Sequence, residues 1–217
     1  MARELGVSTH KVGYHWKRVP TEGPLIFIAN HPFGVIDGIL LGQFVSSMHH
    51  EFKFLVNEAL CKDEMLNQFF LPIDFSPTKE AQMTNIATKN SALEHLQNGV
   101  PIVIFPSGGV ATAPRVWKKA EDLEWKRFLI KLIHKSNATV IPIFFEGQNS
   151  RIFQIVSRIS MDLRAAMLLR EVTNKIHREF KMVVGKEVTY EELSGIEGKQ
   201  NQLNYLRESV FNLKKEC

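Results

Sequence analysis

The sequence holds only two cysteines in 217 residues, Cys61 and Cys217, and their separation suits neither a metal-ligand spacing nor a redox pair. A disulfide framework is thereby excluded, and a reduced, intracellular setting is the simpler expectation. Cys217 is terminal and lacks the residues of a prenylation signal. No apolar run approaches the ~20 residues needed to span a bilayer. The opening MARELGVSTHKVGYHWKR is mixed and polar, which predicts no signal peptide. Membrane contact is therefore expected to be peripheral. Repeats, low-complexity tracts and linkers are also missing, and Gly and Pro are unremarkable, so fibrous and disordered classes fall away.

What remains is a globular profile, 44% hydrophobic and 23% charged, long enough for one sizeable domain over 1–217 and too short for two ordinary ones. The formal net charge of +4 favours anionic lipid, acidic substrates or nucleic acid without choosing among them. No nucleic-acid-binding module accompanies the charge, so no nucleic-acid partner is expected.

Short apolar runs alternate with helical patterns. Strands are predicted over 25–29 (LIFIA), 52–56, 71–75, 102–105, 140–145 and 181–184. Several are apolar throughout, as strands covered on both faces are. A helix over 35–48 would bury Val35, Ile36, Ile39, Leu40, Phe44 and Met48. A second, over 78–98, starts at Thr78 and ends where Gly99 suits a left-handed terminating residue. Thr189 to Glu192 has the spacing of a capping box. Pro142 inside its strand argues for a sheet edge or a bulge. Together these predict an α/β fold, a mostly parallel central sheet flanked by helices.

The most informative stretch is Asn30-His31-Pro32-Phe33-Gly34-Val35-Ile36-Asp37-Gly38, where the first strand gives way to a helix. Ligand sites in open α/β sheets favour that end of a strand. Six positions apart, His31 and Asp37 would not share a face of a continuous helix. Pro32 and Gly34 break the continuity, and a turn there can fold the imidazole back toward the carboxylate. Such a pair holds one ring nitrogen protonated and leaves the other to accept a proton. The plainer alternative is that His31 merely caps the helix and Asp37 stabilises its positive end.

NHPFGVIDG resembles the first block of the glycerolipid acyltransferases of the lysophosphatidic acid acyltransferase type, and is closest to their hemolysin-like, ornithine-lipid branch. The resemblance runs from about residue 23 to 188. It implies that His31 deprotonates an acceptor hydroxyl, which attacks an acyl-CoA or acyl-carrier-protein thioester, with Asp37 orienting the histidine. Five residues separate His31 from Asp37, where the common pattern has four; the longer spacing suits the hemolysin-like branch. The same resemblance makes Asn30, Phe33 and Gly34 substrate-binding candidates.

Phe105-Pro106-Ser107-Gly108-Gly109 resembles the third block, a Phe-Pro-Glu-Gly pattern followed by a small residue and Arg. Gly108 and Gly109 allow close backbone approach and amide donation to an anion. Ser107 replaces the usual Glu and Val110 the usual Arg, which bears on glycerol-phosphate recognition; Arg115 is the nearby candidate for an anion-binding role. A serine hydrolase is disfavoured because the Gly-x-Ser-x-Gly elbow is absent. Pro142, Glu146 and Asn149 fall in the resemblance to the fourth block, which lines the donor or acceptor channel. The histidines outside this region belong to no ligand spacing, and no metal or cofactor is expected beyond the acyl donor as co-substrate.

Two stretches suit contact with an anionic membrane surface. Residues 115–135 carry seven Lys or Arg against three acids, among Trp117, Trp125, Phe128, Leu129 and Leu132; residues 151–170 carry four Arg among Ile152, Ile155, Ile159 and other apolar side chains. The expected protein is thus an acyltransferase with a lysolipid acceptor, held at the inner face of the membrane. The competing expectation is a catalytically weak lipid-binding module of the same fold.

Overall fold

The computed structural model describes residues 4–13, 15–61, 67–115, 117–159 and 161–217. In chain order the strands are β1 (Ser8–Val12), β2 (Leu25–Ala29), β3 (Lys53–Asn57), β4 (Phe70–Ile73), β5 (Ile102–Ile104), β6 (Thr139–Phe145) and β7 (Glu179–Val184). The helices are α1 (Val35–Ser46), α2 (Lys79–Gln97), α3 (Phe128–Ser136), α4 (Arg151–Val156), α5 (Met161–Thr173), α6 (Tyr190–Ser194) and α7 (Lys199–Asn212). One sheet runs in the order β1-β7-β6-β2-β5-β3-β4, and among the described residues its only antiparallel strand pair is β6 with β7.

The fully apolar β2 lies at the centre because neither of its faces has a polar group to offer water. Side chains alternate across a strand, so Ile26 and Ile28 pack under α2, α3, α6 and α7, against Leu96, Leu129 and Leu206. Leu25, Phe27 and Ala29 point the other way, against Ile36, Leu40 and Phe44 of α1. The two covered faces account for strands that read as unbroken apolar runs.

All six expected strands form. The edge strand β1 escapes sequence reading because STHKV is mostly polar and none of its residues is fully buried. Thr78 caps α2 through its side chain, and Gly99 follows with φ 73°. The Thr189 capping box forms as expected, although it opens only the short α6; the longer helix nearby is α7. In α1 the buried face is turned from the predicted stripe. Val35 is exposed while Asp37, Leu41 and Val45 are buried beside Ile36, Leu40 and Phe44.

The edge expectation for Pro142 is corrected, since β6 lies inside the sheet between β2 and β7. The pairing does slip there: Val140 bridges Val188 while Ile143 pairs with Val184, so three steps along β6 match four on the returning chain. The Pro142 carbonyl accepts from the Gly185 amide at 2.9 Å. Its missing N–H faces the same side, where the ladder is already interrupted.

His49 follows α1 and is buried against Phe27, with Nε2 unpartnered among the described residues. Burial pushes its pKa below the ordinary 6.5. The unfolded chain therefore binds the proton first, and stability that is complete above that value falls as pH drops through it. Urea unfolding at pH 7.5 and 5.5 is expected to show a smaller acid loss in His49→Gln than in the wild type. Equal losses in both would exclude His49 as a source of acid sensitivity.

Candidate active site

Three central strands, β2, β5 and β6, run parallel and end together. Their carboxyl ends deliver Asn30 and His31, then Phe105 to Ser107, then Glu146. Asn30 ties two of these ends: its side-chain amide donates to the Phe145 carbonyl at 2.9 Å and its carbonyl accepts from the Phe145 amide at 2.7 Å. Both polar ends of Asn30 are thus spent on backbone.

Beyond Asn30 the chain turns at Pro32 and Gly34 into α1. Gly34 has φ 88°, and a Cβ there would come within 2.9 Å of Leu168 and 3.1 Å of Val110. The turn needs both the left-handed backbone and the missing side chain. It brings Nδ1 of His31 to 3.0 Å from Oδ2 of Asp37. The same oxygen accepts from the backbone amides of Phe33, at 2.8 Å, and Gly34, at 2.9 Å. Asp37 is fully buried at the positive end of α1, so it caps the helix and holds the histidine at once.

The imidazole is further confined by Phe105, which stacks on it at 4.0 Å between ring centroids and 18° between planes. The His31 amide donates to Asp122 Oδ1 at 3.0 Å, and the His31 carbonyl accepts from Ala111 at 2.8 Å. The other Asp122 oxygen accepts from the Trp125 indole at 3.1 Å. Burial pushes the Asp122 carboxyl above its ordinary range, against the lowering pull of these donors. Nε2 of His31 has no partner among the described residues. A ring with Nδ1 on a carboxylate and Nε2 open is equipped to take a proton from a bound hydroxyl.

Over residues 2–217 the sequence matches the family described as acyltransferase. This chain belongs to the acyltransferase family. It is 24% identical over 204 residues to the lyso-glycine lipid O-acyltransferase of Phocaeicola vulgatus, covering 91% of this chain and 71% of that protein. It is 26% identical over 206 residues to the protein of the same name from Bacteroides thetaiotaomicron, covering 91% and 72%. The crystal structure of the 1-acyl-sn-glycerophosphate (LPA) acyltransferase PlsC from Thermotoga maritima superposes with a TM-score of 0.58 at 19% identity, covering 93% of this chain and 69% of that one. The last likeness shows that the fold is that of an acyltransferase.

Around the histidine, this acyltransferase uses the third-block loop largely for shape. Ser107 is buried and its hydroxyl donates to the Gly109 carbonyl at 3.0 Å, a turn contact and not the posture of a nucleophile. The Pro106 carbonyl accepts from Lys126. The Gly108 amide is spent on the Phe105 carbonyl at 2.9 Å, so of the two glycines only Gly109 is left to offer an amide to an anion. Phe33 is buried in an edge contact with Phe180 and lies under the Lys175 ammonium. Asn149, also buried, donates to the Phe33 carbonyl at 3.2 Å.

Three expected site residues make no hydrogen bond or ion pair with His31 among the described residues. Pro142 sits within the sheet. Glu146 is half-exposed and paired with Lys181 at 3.3 Å. Arg115 is exposed in the loop closed by the Thr112–Glu121 bridge. Sequence reading missed Asp122 and Arg164. The signal for Asp122 was its spacing from Trp125, three residues on, inside a basic stretch that drew attention to its cations. Arg164 was visible only as one of several arginines in an amphipathic run.

Proposed function

We propose that this acyltransferase moves a fatty acyl group from an acyl-CoA or acyl-carrier-protein thioester to the hydroxyl of a lysolipid, with His31 as general base. The observation that carries this reading is the 3.0 Å contact between His31 Nδ1 and Asp37. In the reaction, Nε2 takes the acceptor's hydroxyl proton as its oxygen attacks the thioester carbonyl carbon. The tetrahedral oxyanion then collapses, the C–S bond breaks, and the thiolate recovers the proton from the imidazolium. Asp37 fixes the ring and offsets its transient positive charge. Phe105 keeps the ring plane from turning. The names of the two curated relatives support an amino-acid lysolipid of the lyso-glycine type as acceptor.

The lipid surface is met peripherally, at the inner face of the membrane. No helix among the described residues is long and apolar enough to cross a bilayer. Of the two basic stretches, 115–135 spends Trp125, Leu129 and Leu132 on the core. The 151–170 stretch keeps Ile152, Ile155, Ile159 and Leu163 exposed beside Arg151 and Arg158, the composition of an interfacial patch. Phe75 and Leu123 are exposed as well and border Gly108 and Gly109, extending an apolar border to the catalytic loop.

Purified protein with anionic vesicles, both donor classes and a panel of lysolipids provides the test. Formation of an O-acylated lipid with one acceptor is the expected result. Thioester loss without acylated lipid would make the protein a thioesterase. Vesicle binding with no turnover of either donor would make it a lipid-binding module.

A further inference from the structure

We infer that Arg164, on α5, is the specificity residue that receives the carboxylate of the acceptor lipid. The inference rests on the lysolipid reading above and adds to it the group that selects the acceptor. Its starting point is a half-buried guanidinium whose charge is not answered. Nη2 of Arg164 donates to the Val110 carbonyl at 2.7 Å, and the guanidinium carbon lies 6.0 Å from the ring of Phe153, itself fully buried. Burial lowers its pKa, and among the described residues no carboxylate pairs with it. A guanidinium has five N–H donors, and one is used. A cation taken out of water without a counter-charge is costly, and it is sustained where a ligand supplies the missing anion.

The place of this cation matters as much as its deficit. Val110 shares a peptide unit with Ala111, whose amide donates to the His31 carbonyl at 2.8 Å. Through that single peptide and two hydrogen bonds, Nη2 lies at most about 8 Å from the His31 carbonyl. A Cβ built on Gly109 would meet Nη2 at 3.9 Å and Leu123 at 3.1 Å, and nothing else within 4 Å. Arg164 therefore faces the bare glycine of the catalytic loop. An acceptor whose hydroxyl sits at His31 and whose anionic end lies a few bonds away spans that interval. Among the described residues, Arg164 is the cation placed against Gly109 and Val110, and a single positive charge matches a carboxylate monoanion better than a phosphate dianion.

The test compares N-(3-hydroxyacyl)glycine, its methyl ester and lysophosphatidic acid as acceptors, in the wild type, Arg164→Gln and Arg164→Lys. The wild type should favour the free acid over the ester by about 10–100-fold in kcat/KM, the worth of a charge-assisted hydrogen bond. Gln can still donate to the Val110 carbonyl but has no charge. Arg164→Gln should raise KM for the acid to that of the ester while leaving kcat and the ester's KM close to wild type. Lys should restore part of the preference. Equal loss on acid and ester in Arg164→Gln would make the residue structural and overturn the inference. Preference of the wild type for lysophosphatidic acid would overturn the carboxylate assignment. Binding of N-hexadecanoylglycine and its ester, followed by tryptophan fluorescence, reads the same preference without turnover. Acid-selective binding that Arg164→Gln abolishes would uphold the inference even if acyl transfer were not found, and unselective binding would refute it.

Discussion

Replacing His31 by Ala is expected to slow acyl transfer by about 10²–10⁴-fold, the contribution of a positioned general base, and to leave the protein folded. The backbone of the segment is held without the imidazole: the His31 amide is fixed by Asp122 and its carbonyl by Ala111. Deleting the ring therefore removes the base without releasing the turn. Asp37→Asn separates charge from geometry. Three donors converge on Oδ2, and an amide oxygen can take that place, keeping the contacts to Phe33, Gly34 and His31. The charge beside the developing imidazolium is lost, which should slow transfer by about 10²-fold. The new amide nitrogen would lie where Oδ1, buried and unpartnered, lies now. An orphan donor there should cost about 1–3 kcal/mol of stability. Single-turnover thioester consumption and urea unfolding measure the two effects separately. Wild-type rates in both variants would remove the pair from the chemistry.

Replacing Glu171 by Ala should destabilise the fold by about 3–5 kcal/mol, the cost of breaking a buried ion pair from one side. Glu171 and Lys175 are both buried and in contact one helical turn apart, and the Ser150 hydroxyl and amide also donate to the Glu171 carboxylate. Without the carboxylate, the Lys175 charge stays buried beside Phe33 and the Ser150 amide loses its acceptor. Burial alone would raise the Glu171 pKa; Lys175 and Ser150 outweigh it and hold the carboxyl below its ordinary 4.5. A depressed folded value means that this stability is complete above pH 4.5 and is lost as pH falls through the folded value. The double variant Glu171→Leu with Lys175→Met, which removes both charges, should recover most of the loss in urea unfolding. A Glu171→Ala midpoint equal to wild type would show that the pair contributes nothing.

The contact between His31 and Asp37 could be read in advance because its logic is local. Pro32 and Gly34 announce a turn, and His31 and Asp37 sit on either side of it, so six residues of chain suffice to bring them together. Asp122 and Arg164 had no such signal. They lie 91 and 54 positions from the His31 amide and the Val110 carbonyl they serve, and periodicity has nothing to say across such a distance. The expected roles of Glu146 and Pro142 rested on nearness in sequence to β6. The strand end carries Glu146 toward Lys181 on β7, and Pro142 lies at mid-sheet, so neither reaches the histidine. The two basic stretches looked alike by composition, yet only packing could separate them: α3 needs its apolar side for the core, whereas α4 and α5 leave isoleucines and leucines in water.

The sequence by itself determined the fold class, the turn that joins His31 to Asp37, and the family. Unbroken apolar strands demand cover on both faces, and short-range turn chemistry depends on neighbours that are already adjacent in the chain. Only the tertiary structure decided which polar groups are spent and which remain available. Asn30, Ser107 and the Gly108 amide are consumed by backbone partners, while among the described residues His31 Nε2 and most of the Arg164 guanidinium are left open. Hydrogen-bond satisfaction is settled by long-range register and burial, and those arise when the strands align.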